Sequence, residues 1–138
     1  MTTQAREYAV RALVALIVSA LSVPAHAETR QVIGYAGVLG EWELTATVTE
    51  NPPEYVSWLT REFSGPLTLK HTGVCTRDGP EEKTGEMRFR MSALSSQLNA
   101  TLSVDGVACS YSARLSDFYS GMMTCPDRPA VPLRLWVR

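Results

Sequence analysis

Histidine is almost missing from this 138-residue chain, with only His26 and His71 present, and cysteine is held to three positions, Cys75, Cys109 and Cys125. His71 precedes Cys75 by four residues, a spacing that points both side chains the same way along a strand. No third orienting group stands beside them, so the nucleophile and base of a cysteine hydrolase are not assembled. Neither zinc-ligand spacing nor a glycine loop that cradles phosphate is present. The acidic run from Asp78 to Glu86 lacks the ligand spacing of a calcium loop and reads as a solvated turn between two strands. Met122 and Met123 are adjacent, so a strand sends them to opposite faces and they form no soft-metal site. No catalytic, metal or cofactor residue is therefore assigned, and the chain is not read as an enzyme.

Charge of one sign is lacking too. Thirteen Lys and Arg against fourteen Asp and Glu give a net charge of −1. The two signs are interspersed, which leaves no nucleic-acid footprint and no polybasic membrane patch. No segment after Val23 is apolar enough to span a bilayer, so stable membrane insertion is not expected.

What is present first is an export signal over residues 1–27. Arg6 and Arg11 form the positive flank, and Ala12 to Val23 are apolar and uncharged. Ala25, His26 and Ala27 then supply a small-x-small cleavage site. That apolar run falls well short of the roughly 20 residues of a membrane span. No cysteine stands at the cleavage point to take a lipid. The expected product starts at Glu28, works in the periplasm or outside the cell, and forms one domain over residues 28–138.

From Glu41 onward the pattern has a period of two, the mark of half-buried antiparallel strands. Trp42, Leu44, Ala46 and Val48 share one face. Leu67 and Leu69, then Met87, Phe89 and Met91, then Leu98, Ala100, Leu102 and Val104 repeat the alternation. Asp105 and Gly106 predict a two-residue type I′ hairpin, which pairs Val104 with Val107, Leu102 with Cys109 and Ala100 with Tyr111. Further strands are expected at about 117–125 and 131–137, the latter with Leu133, Leu135 and Val137 inward. The fold class is all-β: an antiparallel up-and-down meander closing into a small barrel of seven or eight strands.

Residues 51–62 interrupt the rhythm. Asn51, Pro52, Pro53 and Glu54 resemble a capped helix start that would put Tyr55, Trp58 and Leu59 on one face. A strand over Tyr55 to Leu59 competes with it, and the reading favoured is an irregular excursion. If strands alternate up and down, all three cysteines fall at one end of the sheet. Cys109 and Cys125 lie on adjacent strands and are expected to form a disulfide, leaving Cys75 as a small buried thiol.

Gly40, Glu41 and Trp42, read as the head of the first strand, together with the meander, resemble the opening of lipocalins and related calycin barrels, a group that includes avidin-like proteins and small bacterial metalloprotease inhibitors. The resemblance implies a tryptophan packed at the barrel base beneath an Arg or Lys of a late strand, for which Arg134 and Arg138 are the candidates. Two functions follow as expectations. The first is a binding barrel for a small apolar ligand, with Leu44, Phe89, Leu102 and Tyr111 bordering its cavity. The second is an inhibitor or interaction module for an exported protein, presenting Tyr55, Trp58 and the outward Trp136 flanked by Arg134 and Arg138. N-terminal sequencing of the protein recovered from an exporting host should begin at Glu28; an intact Met1 in a soluble cytoplasmic form contradicts the export reading.

Overall fold

The computed structural model describes residues 26–53, 59–73 and 77–138. Its strands are β1 (Thr29–Ala36), β2 (Trp42–Glu50), β3 (Thr60–His71), β4 (Glu82–Ser92), β5 (Gln97–Val104), β6 (Val107–Leu115), β7 (Tyr119–Thr124) and β8 (Val131–Val137). Each pairs antiparallel with its sequence neighbour. β1 also pairs with β8, from Val32 opposite Val137 to Ala36 opposite Leu133, so the sheet closes on itself as a barrel of eight strands. No helix occurs among the described residues.

The period of two does what the pleat requires: alternate residues enter the barrel and the others face outward. Val32, Leu44, Val48, Phe63, Met87, Phe89, Leu98, Leu102, Leu133 and Leu135 are all at most 1% exposed. Phe63 and Phe89 stack at the centre, with centroids 5.3 Å apart. Tyr111 enters the same core, where its hydroxyl is shared between the carbonyls of Tyr119 at 3.1 Å and Leu133 at 3.0 Å. Burial pushes its phenol well above the ordinary range.

The hairpin register is the one expected. Asp105 and Gly106 have φ of 49° and 79°, the paired positive values of a type I′ turn, and Val104, Leu102 and Ala100 face Val107, Cys109 and Tyr111. Two inward glycines allow the tight coiling of so narrow a barrel. A Cβ at Gly85 would lie 1.8 Å from the Ser103 carbonyl oxygen, and one at Gly65 2.1 Å from that of Thr47. Met122 faces out and Met123 packs against the core.

Three readings from sequence are corrected. β1 precedes the expected first strand, so Gly40, Glu41 and Trp42 lead into β2; the outward Ile33 and Tyr35 are apolar and the inward Gly34 has no side chain, which conceals the alternation. The excursion after β2 ends by Leu59, because Thr60, Arg61 and Glu62 already belong to β3. The Asn51 side-chain amide donates to Glu62 Oε1 at 3.0 Å and accepts from Ser64 Oγ at 2.8 Å, tying β2 to β3, while residues 54–58 of the expected helix start lie outside the described residues. The cation over Trp42 comes from β4, with Lys83 Nζ 5.1 Å from the ring centroid, and not from Arg134 or Arg138.

Charged side chains close one end of the barrel. Arg30 and Arg61 occupy inward positions and lie over the Phe63 ring at 5.7 and 5.2 Å. Arg61 grips Glu50 through two hydrogen bonds of 2.8 and 2.7 Å and also donates to Glu28, which pairs with Arg30. A charge at an inward position breaks the apolar rhythm, which is why the start of β3 reads as loop in the sequence.

The Arg61 hydrogen bonds hold the Glu28 and Glu50 carboxyls below the ordinary carboxylate value of 4.5, and the Arg90 hydrogen bond does the same for Glu62. A carboxyl whose folded pKa is depressed stabilises the fold above its unfolded pKa, and that contribution is lost as pH falls through the folded value. The thermal midpoint should therefore fall as pH drops below about 4.5, and Arg61→Met should flatten that slope. An unchanged slope in the variant contradicts the assignment.

Candidate functional site: the open mouth

The opposite end of the barrel stays open. The described connections around it are Gly37 to Glu41, residues 72–73 and 77–81, the Asp105–Gly106 turn and residues 125–130. Between them lies a pocket of about 260 Å³. Every strand sends a residue to it: Ala36, Trp42, Leu69, Lys83, Val104, Cys109, Met123 and Val131 line it in chain order from β1 to β8. Its walls are mainly apolar. Its rim carries Glu41 and Asp105 as acids and Lys83 and Arg128 as bases.

Trp42 is held rigidly in the wall. The His71 ring meets it edge-on, with centroids 4.7 Å apart, and Lys83 covers it while pairing with Glu81 at 3.6 Å. The Cys109–Cys125 disulfide, with Cα atoms 4.3 Å apart, forms another part of the wall. It links β6 to the residue after β7, as the strand order predicts, and so fixes the loop that carries Arg128.

The connection from β1 to β2 overhangs this mouth. Gly37 and Gly40 have φ of 99° and 68°, which turns the chain sharply around Val38 and Leu39. Leu39 N–H donates to Glu41 Oε2 at 3.0 Å, and Gly37 N–H donates to the Pro132 carbonyl at 2.9 Å. Thr72 N–H donates to the Glu41 carbonyl at 2.8 Å. The braced loop leaves Val38 79% and Leu39 90% exposed.

The residues singled out from sequence fall elsewhere. Leu44, Phe89, Leu102 and Tyr111 come together in the packed core, between 0% and 3% exposed, and none borders the mouth. Trp136 faces outward as expected and joins two aromatics that sequence reasoning did not select, Tyr35 at 6.0 Å and Phe118 at 4.9 Å between centroids. Tyr55, Trp58 and Cys75 lie outside the described residues. The mouth residues were missed because they are ordinary strand-end positions, recognisable only once all eight strands are counted. Val38 and Leu39 did carry a signal, an aliphatic pair in a turn where polar residues are usual. Among the described residues, no three His, Cys, Asp or Glu side chains group as a metal site.

Replacing both Cys109 and Cys125 by Ala should cost about 3 kcal/mol in the chain-entropy view, since the bridged residues are 16 apart in sequence. Chemical denaturation of the variant against wild type measures this; equal stabilities contradict it.

No family description, no curated protein and no solved structure matches this chain.

Proposed function

We propose that this chain is an exported binding module that takes a compact apolar group into the open mouth of its barrel. One observation carries the reading: all eight strands contribute to one mainly apolar opening, while the interior beneath it is filled. Size sets the ligand class. A cavity of roughly 150 Å³ lined by aliphatic residues holds benzene, and pockets for drug-sized ligands begin at roughly 300 Å³. At about 260 Å³ the mouth suits one ring or a branched aliphatic group, with the ligand's polar end at the rim charges. The likeness to lipocalin-like and avidin-like barrels supports a binding role. The disulfide supports an oxidising, exported setting.

A second reading is favoured by the exposed Val38 and Leu39 and by the Tyr35, Trp136 and Phe118 cluster: an inhibitor or interaction module that docks on an exported protein.

Titration with benzene, indole and tert-butanol, followed by methyl NMR, should shift the Leu69, Val104, Met123 and Val131 signals before those of Leu98 or Val48. Met123→Trp fills the mouth and should weaken binding by about tenfold or more while the disulfide and cooperative unfolding persist. Saturating probe without shifts at the mouth contradicts the proposal.

A further inference from the structure

The Gly37–Glu41 loop and the mouth pocket lie at the same end of the barrel and share residues, since Gly37 and Glu41 themselves line the pocket. One surface thus carries an aliphatic knob and, beside it, a mainly apolar hole. A two-fold dimer brings the same patch of both copies together, so it needs both complementary parts on one surface. From this geometry we infer that two copies of the chain associate mouth to mouth, each inserting its Val38–Leu39 loop into the mouth pocket of the other. The inference rests on the reading that the mouth accepts a compact apolar group, and it names the occupant as the protein's own loop.

The knob is preformed. Hydrogen bonds within the loop, Leu39 N–H to Glu41 Oε2 at 3.0 Å and Gly40 N–H to the Gly37 carbonyl at 3.2 Å, and its ties to Pro132 and Thr72 already order the backbone, so docking orders little more than two short side chains. Val38 and Leu39, 79% and 90% exposed, make no large apolar burial within their own barrel. The hole fits in size, because the four carbons of a leucine side chain are fewer than the six of benzene, for which roughly 150 Å³ suffices, and the pocket measures about 260 Å³. The rim charges also match. Glu41 and Asp105 stand with Lys83 and Arg128 on one rim, so two rims that face each other present both signs and carry no net repulsion. Free ligand and partner loop then compete for one site, and small apolar ligands drive the dimer apart.

Sedimentation of the protein from an exporting host, from micromolar to millimolar concentration, should show a monomer–dimer equilibrium. Leu39→Asp, or Val38→Asp in the same exposed loop, should raise the dimer dissociation constant by about tenfold or more. Met123→Trp should do the same by blocking the hole. An equimolar mixture of Leu39→Asp and Met123→Trp should associate more tightly than either variant alone, because one intact knob then meets one intact hole. A wild-type monomer at millimolar concentration overturns the inference, as does a dimer indifferent to all three substitutions or a mixture no tighter than its components. The monomeric Leu39→Asp protein keeps its mouth open, so apolar probes that bind it uphold the binding function whatever the sedimentation result. Probes that fail to bind it overturn that function separately.

Discussion

The backbone pairing of β1 with β8 is the constraint on which everything else depends. It runs from Ala36 and Leu133 to Val32 and Val137, and Gln31 and Arg138 extend it with two further hydrogen bonds of 2.9 Å. Without it β1 and β8 would be open edges, inviting pairing with other chains. With it, every strand has two neighbours, and each residue must choose between inside and outside. That choice turns a linear alternation of apolar and polar residues into a filled interior and a polar wall.

Closure with eight strands also fixes how much room is inside. A barrel of this size is wide enough for side chains or for one small ligand, but not for both at the same level. Phe63, Phe89, Tyr111, Met87 and the inward leucines take the middle, so space is left only where the strands end. The inward glycines at 65 and 85 make this economical packing feasible by letting strands approach more closely than a Cβ allows.

The two ends then diverge by residue type. At one, Arg30, Arg61, Glu28 and Glu50 lock together over Phe63. At the other, several of the last inward residues are small, among them Ala36, Val104 and Val131, and the barrel stays open. The polarity of the molecule, one end covered by ion pairs and one open end, thus comes from a few residues at the strand termini and not from the core. Lys83 shows the same economy: it covers Trp42, pairs with Glu81 and contributes to the mouth.

The sequence by itself determined the all-β meander, the hairpin at Asp105 and Gly106, the inward sets on β2, β4, β5 and β8, and the bridge between Cys109 and Cys125. All of these are local: they follow from a period of two, a turn type and strand adjacency. The tertiary structure alone decided the rest. β1 was hidden because an inward Gly34 between outward Ile33 and Tyr35 carries no alternation, and the start of β3 because Arg61 puts a charge where the pattern expects a hydrophobe. Whether Leu44, Phe89, Leu102 and Tyr111 surround a cavity or fill it depends on the distance across the barrel, which no single strand encodes. The mouth is assembled from residues of all eight strands, up to about a hundred positions apart in the chain, so it exists only once the sheet has closed.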